Sequence, residues 1–281
     1  MNVIQTITAL NEALKAYRSS GDSVGFVPTM GALHQGHATL VKQCVAENDI
    51  CVVSVFVNPT QFNNKEDLRL YPRTLEADCK LLEELGTTIV FAPSAEEMYP
   101  EPDTRMFDFG MLDKVMEGRF RPGHFNGVAQ VVSKLFDIVQ PDKAYFGEKD
   151  FQQLAIIREM ANRLQLPIEI IGVPIVREKN GLAMSSRNTR LSEKERESAA
   201  EIHKALKNSV SVFNQQTVGE TMDFVIDQVN KIEGLTVEYF EIVDGNSLQL
   251  ISNQADSDFI VGCIAVFCGD VRLIDNITYK K

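Results

Sequence analysis

No stretch of this sequence approaches the roughly 20 consecutive apolar residues that a helix needs to cross a bilayer. The first ten residues also lack a basic region followed by an apolar run. Both absences lead us to expect a cytoplasmic protein with no membrane partner. Positive charge is scarce as well: 28 Lys and Arg stand against 39 Asp and Glu, a formal net charge of −11. Binding a phosphate backbone needs clustered cations that displace counterions, so nucleic acid is not an expected partner. An anionic small molecule remains compatible if cations gather locally in a cleft that focuses their field. The five cysteines (Cys44, Cys51, Cys79, Cys263 and Cys268) are scattered, without the close pairs of a zinc knuckle or redox dithiol. They read as small buried thiols, with Cys44 and Cys79 on helices and the rest on strands. Low-complexity and Pro-, Gly- or Ser-rich segments are missing too, which argues against disorder.

What is present is ordinary globular chemistry: 281 residues, 44% hydrophobic and 24% charged. That length can bury one large α/β core and a small second one. Residues 2–19 read as an amphipathic helix, with Ile4, Leu10, Leu14 and Tyr17 at helical spacing and a stop at Ser19-Ser20-Gly21. Val24 to Pro28 reads as a short buried strand, expected to end at Pro28 because proline cannot donate to a ladder. A loop from Thr29 to His37 follows, then a helix to about Asn48. The run Ile50 to Val57 is nearly all apolar and β-branched, as a strand covered on both faces should be. Helices are expected over 75–85, 127–139 and 151–164, and strands over 88–92, 144–147 and 168–176. Right-handed strand–helix–strand repetition predicts a doubly wound, Rossmann-like, mostly parallel sheet over residues 1–175. Beyond it, helices near 192–213 and 217–232 and strands near 235–244, 259–268 and 271–278 predict a smaller α+β domain over 176–281.

In open α/β sheets ligands bind beyond the carboxyl ends of strands, and the loop 29–37 sits at such an end, directly before a helix. Backbone N–H groups at a helix start favour an anion, with Gly31 and Gly36 allowing close approach. His34 and His37, two of the four histidines, lie three apart and emerge on neighbouring faces of the first turn. A zinc pair is the rival reading, but no nearby Cys, Asp or Glu supplies a third ligand at usual spacing, so no protein-bound metal is expected. Gln61 and Gln153 can donate and accept, which suits a small hydroxy acid. Lys149 follows Gly147 at a strand end and can set a compact charge against phosphates. Asp150 can accept from a ribose hydroxyl or cap the next helix. Arg119, Arg121 and His124 read as a solvated basic turn or as positive potential at the rim, outside the catalytic set.

His-x-Gly-His after the first strand resembles the nucleotide signature of the class I adenylate-forming superfamily. The surrounding words narrow the resemblance: Val27-Pro28-Thr29-Met30-Gly31-Ala32-Leu33-His34, Phe56-Val57-Asn58-Pro59-Thr60-Gln61-Phe62, and Tyr71-Pro72-Arg73-Thr74. Glu117 to Phe125, Phe146-Gly147-Glu148-Lys149-Asp150-Phe151-Gln152-Gln153 and Met184-Ser185-Ser186-Arg187-Asn188 continue it. In order over residues 27–188, they are similar to the pantothenate synthetase (pantoate–β-alanine ligase) family. Past about residue 195 the likeness thins, apart from Gly269 to Asn276.

The resemblance implies an ATP-dependent ligase that makes pantoyl-adenylate and passes the acyl group to β-alanine. It places ATP against Met30, Gly31, His34, Gly36, His37, Gly147, Glu148, Lys149, Asp150, Val176, Met184, Ser185, Ser186 and Arg187. Pantoate falls to Gln61, Gln153 and Asn58. His34, His37, Lys149 and Arg187 are the implied catalytic residues, Mg²⁺ the implied companion of ATP, and a homodimer the implied assembly. Met184 to Arg187 stands where related enzymes carry a mobile Lys-Met-Ser-Lys-Ser loop, with Arg187 a forked donor in place of the second lysine. Three other functions share parts of this pattern: a nucleotidyltransferase that releases an adenylated product, an aminoacyl-tRNA synthetase fragment, and a non-catalytic nucleotide-binding regulator.

Overall fold

Six parallel strands form the larger sheet of the computed structural model, which describes residues 1–63 and 65–281. In chain order they are β1 (Asn2–Ile4), β2 (Val24–Thr29), β3 (Ile50–Val55), β4 (Ile89–Phe91), β5 (Lys143–Gly147) and β6 (Glu169–Val173). Their spatial order is β1-β4-β3-β2-β5-β6, every neighbouring pair parallel. The chain winds outward from β2 through β3 to β4, then resumes on the other side with β5 and β6. The winding therefore reverses between β2 and β5, which makes the carboxyl ends of those strands the expected ligand crevice.

The helices between the strands are α1 (Ile7–Ser20), α2 (Gln35–Glu47), α3 (Lys65–Leu70), α4 (Leu75–Glu84), α5 (Ala95–Met98), α6 (Met116–Phe120), α7 (His124–Val139) and α8 (Phe151–Arg163). One face of the sheet packs Val27, Cys51, Val53, Val90 and Tyr145 against Leu40, Val41 and Cys44 of α2 and Leu82 of α4. The alternate residues face the other way, where Phe26 meets Phe136 of α7 edge-on, ring centroids 6.4 Å apart. Burial on both faces explains why β3 carries an apolar run without alternation.

The chain divides into two compact units: Met1–Phe109, Arg121–Glu148 and Gln153–Pro174 form the first, and Gly110–Phe120, Lys149–Gln152 and Ile175–Lys281 the second. The second unit holds an antiparallel sheet of β7 (Leu235–Asp244), β8 (Ile260–Cys268) and β9 (Val271–Lys280), in that order. Helices α9 (Glu193–Phe213) and α10 (Val218–Asn230) bury Ile202, Leu206, Val225 and Val229 with Phe240, Ile242, Ile264 and Leu273. A doubly wound parallel sheet with a smaller α+β part is thus the architecture, as the alternation of elements led us to expect. Among the described residues, no helix is long and apolar enough to cross a membrane.

Two local expectations are corrected. Residues 2–19 are not one helix: Asn2 to Ile4 pair with Ile89 to Phe91, and Thr6 then caps α1 by accepting from the Ala9 amide at 3.3 Å. The β-branched Val3 and Ile4 satisfy either pattern, and the distant parallel partner decides. β2 also runs through Pro28 to Thr29. Pairing with β5 is confined to Gly25 and Phe26, so no partner on that side awaits the missing N–H.

Candidate active site

The turn leaving β2 is built around a carboxylate. Gly31 (φ 78°) and Ala32 (φ 50°) are both left-handed, which swings the chain back over the end of the sheet. Asp78, in the first turn of α4 and 3% exposed, accepts from the Ala32 and Leu33 amides at 3.0 and 2.8 Å. The Thr74 hydroxyl donates to the same group at 3.2 Å. A side chain on Gly31 would meet Asp78 Oδ2 and Val55 Cγ1 at 3.0 Å, so glycine is needed there for space as well as for φ. The Gly31 amide itself donates to Thr29 Oγ1 at 3.2 Å.

His34 then caps α2. Its Nδ1 accepts the Gly36 amide at 3.1 Å, and His37 Nδ1 accepts the His34 amide at 3.3 Å. The two rings lie 4.1 Å apart, centroid to centroid. An imidazole nitrogen that accepts carries no proton, so each neutral ring bears its hydrogen on Nε2. This alters the expected anion cradle. The amides of Gly31, Ala32, Leu33, His34 and Gly36 all donate within the protein. The dipole of α2 still favours negative charge at this end.

Gln61 ends a 3-10 turn, Pro59–Gln61, beyond β3. Its Oε1 accepts from Asn58 Nδ2 at 3.3 Å, and its Nε2 donates to the thioether of Met30 at 3.2 Å. Sulfur is a weak acceptor, so a hydroxyl or carboxylate would make a stronger partner for that amide. Met30 and Gln61 are thereby brought together.

Asn58 is placed differently from its companions. It is 1% exposed, donates to the Gly127 carbonyl at 3.2 Å, and accepts from Tyr99 Oη at 2.9 Å and Thr60 Oγ1 at 3.1 Å. Its amide is committed to the protein, Gln61 included. Two further residues fix this turn: His124, read from sequence as part of a basic cluster, and Gly127, which the sequence did not single out. His124, 5% exposed, places Nδ1 2.9 Å from the Gln61 carbonyl. A Cβ on Gly127 would lie 2.5 Å from the Thr60 carbonyl oxygen and 2.8 Å from Gln61 Cα, so α7 packs directly against the turn. His124 is therefore no part of a solvated basic turn. Arg119 is exposed and pairs with Glu241 at 2.5 Å. Gly147 closes β5, the amide of Glu148 donates to the Val173 carbonyl at 2.8 Å, and Gln153 stands half-buried in the first turn of α8.

The second unit holds the remaining candidates. Lys149 Nζ lies 4.0 Å from Asp150 Oδ1, and the Lys149 carbonyl accepts from Asn276 Nδ2 at 3.1 Å. Val176 and Met184 face each other across a hairpin, joined by the Met184 amide and the Val176 carbonyl at 3.0 Å. Ser185 Oγ accepts from the Arg187 amide at 3.3 Å, capping a 3-10 turn over Ser186–Arg190. Buried Asn188 anchors the turn by donating to the Ala183 carbonyl and to Glu178 Oε1 at 3.0 and 2.9 Å. The segment thus has defined secondary structure and more fixed points than a polar turn requires. Among the described residues there is no cluster of three or more His, Cys, Asp or Glu able to hold a metal ion.

A family model described as pantoate-beta-alanine ligase matches residues 2–278. A pantothenate synthetase of Bacteroides fragilis (strain YCH46) is 63% identical over 281 residues, the whole of both chains. Another, from Porphyromonas gingivalis (strain ATCC BAA-308 / W83), is 57% identical over 280 residues. Among solved structures, a pantothenate synthetase from Thermus thermophilus matches with a TM-score of 0.94 at 43% identity, covering 100% of both chains. The pantoate-beta-alanine ligase of Francisella tularensis, complexed with beta-gamma ATP and beta-alanine, matches with a TM-score of 0.84 at 34% identity, over 99% of this chain and 98% of that one.

Proposed function

The chain belongs to the pantoate–β-alanine ligase family, and from that membership we infer an enzyme that condenses pantoate with β-alanine using ATP. We propose that the reaction passes through pantoyl-adenylate, releasing pyrophosphate in the first step and AMP in the second. A pantoate carboxylate oxygen attacks the α-phosphorus of ATP, and the bond from that phosphorus to the bridging oxygen of pyrophosphate breaks. The carboxylate is already ionised at neutral pH, so the protein contributes alignment and charge stabilisation rather than a base.

The observation that carries this reading is the reciprocal capping of His34 and His37 at the carboxyl end of β2. It sets two imidazoles side by side at the start of α2, where the helix dipole favours the negative charge that develops on phosphate oxygens. Lys149 and Arg187 are assigned to the same charge, Lys149 as a compact cation and Arg187 as a forked donor. Met30, Gly31, Gly36, Gly147, Glu148, Asp150, Val176, Met184, Ser185 and Ser186 complete the proposed ATP contacts. Gln61 and Gln153 hold pantoate, and Asn58 sets the direction of the Gln61 amide. In the second step the free amine of β-alanine attacks the acyl carbon, the bond from that carbon to the bridging oxygen of the adenylate breaks, AMP departs with that oxygen, and the amine proton passes to solvent water. With its Nδ1 engaged, His37 serves as a donor to the leaving phosphate.

Magnesium enters as part of the MgATP substrate, held by phosphate oxygens and water, which agrees with the ion's usual reluctance to dehydrate. Residues 1–175 are proposed as the nucleotide- and pantoate-binding domain and 176–281 as the small domain that carries Ser185, Ser186 and Arg187. A homodimer in the cytoplasm is the proposed working form. The test is purified protein with ATP, magnesium and pantoate, following pyrophosphate with and without β-alanine. Pantoate-dependent exchange of pyrophosphate into ATP without β-alanine supports the mechanism. ATP binding with no exchange would favour a regulator instead.

A further inference from the structure

Two adjacent residues of β9, outside every set assigned above, hold two of the proposed site segments. Successive residues of a strand face opposite sides of its sheet. Asp275 lies on the side of Val271 and Leu273, and Asn276 on the side of Arg272. Both are buried, at 6% and 7% exposure.

On the first side, Asp275 accepts from Arg177 through two oxygens at 2.6 and 3.0 Å. The same guanidinium donates to the Gly181 carbonyl at 3.2 Å, closing the turn of the hairpin in which Arg177 bridges Ala183. That hairpin leads directly into Met184 to Arg187. A two-pronged Arg–carboxylate pair fixes orientation as well as distance. Asp275 Oδ1 also accepts the Asn276 amide at 2.8 Å, which ties the two residues to each other.

On the second side, Asn276 Nδ2 donates to the Lys149 carbonyl at 3.1 Å. Further along that face, Arg272 holds Glu117 at 2.7 and 2.8 Å, and the Glu117 amide donates to Gln152 Oε1 at 2.9 Å. The backbone on both sides of Asp150 is therefore moored to one strand.

We propose that Asp275 and Asn276 are positioning residues for adenylation: Asn276 sets the backbone that carries Lys149, and Asp275 sets the hairpin that delivers Arg187. This rests on the reading of Lys149 and Arg187 as phosphate-binding cations. Each touches its cation's segment through a main-chain or hairpin contact, so its effect runs through that cation. Small displacements of a charge-stabilising group cost as much as about a hundredfold in rate.

The test is a set of double-mutant cycles read by pantoate-dependent pyrophosphate exchange, with thermal unfolding followed in parallel. Asn276→Ala is expected to lower kcat about tenfold, with the KM for pantoate within about twofold of wild type. Asn276→Gln, which keeps the amide donor, should recover part of the loss. In a Lys149→Ala background the further loss from Asn276→Ala should shrink to less than about twofold, because the group it positions is gone. Asp275→Asn is read the same way against Arg187→Ala. A purely structural role would lower the melting temperature and leave kcat per folded molecule unchanged, or would give losses that multiply in the double variants. Either result overturns the inference while leaving the ligase reading intact. Wild-type protein without pantoate-dependent exchange would overturn both.

Discussion

The His34 amide donates to the imidazole Nδ1 of His37 at 3.3 Å, so one site residue fixes the tautomer of the other while capping the same helix. His34 Nδ1 performs the matching task for Gly36. Capping falls to Nδ1 of each ring, while the proposed function assigns the chemistry to Nε2, and substitutions can separate the two.

Asparagine at position 34 can still cap through its side-chain oxygen but brings no Nε2–H. His34→Asn should keep the melting temperature close to wild type and lower pyrophosphate exchange by on the order of a hundredfold. His34→Ala should lose about 1 kcal/mol of stability in addition. Equal exchange in His34→Asn and wild type would assign His34 to capping alone.

Asp78 is the hidden support of the loop. Asp78→Ala removes the carboxylate that accepts from the part-buried Ala32 and Leu33 amides, and should cost about 1–3 kcal/mol. Urea unfolding should show that loss, and the exchange rate per folded molecule should fall with it. A variant of wild-type stability would mean that water or another acceptor replaces the carboxylate.

Gly127→Ala probes the pantoate side. The added methyl would press on the Thr60 carbonyl and Gln61 Cα, so the KM for pantoate should rise severalfold while the KM for ATP stays nearly constant. A rise confined to ATP would separate the Gln61 turn from pantoate.

His203 supplies a pH signature in stability. Burial, with Arg177 adding repulsion, holds its imidazole below the ordinary value of about 6.5, against an opposing pull from Asp275. The unfolded chain therefore binds a proton that the folded chain refuses. Stability from this residue is full above about pH 6.5 and is lost as pH falls from there toward the depressed folded value. The urea midpoint of wild type should fall more steeply over that window than that of His203→Gln. Parallel slopes would show that His203 titrates alike in both states.

Much of this molecule is legible in its residues, for identifiable reasons. The apolar run of β3 and the helical periodicity of α7 and α9 report local burial, which a sequence window contains. β1 was hidden because three residues carry almost no pattern and their partner lies more than 80 positions away. In the site, the imidazoles, Gln61 and Lys149 announce themselves by residue type and flanking words. Asp78 reads as an ordinary first-turn acid of an amphipathic helix, and His124 as one member of a basic cluster. Their roles come from tertiary contacts with residues 32, 33 and 61, which no spacing rule encodes. Asn58 illustrates the reverse: its motif reads as ligand-facing, while the structure buries it among protein partners.

The central claim is that the pantoate carboxylate attacks the α-phosphorus, and oxygen tracing tests it without any variant. Pantoate labelled with ¹⁸O in both carboxylate oxygens, incubated with enzyme, MgATP and β-alanine, should deliver one labelled oxygen to AMP and none to pyrophosphate. AMP free of label, or label in a phosphate derived from the γ-position, would contradict the account.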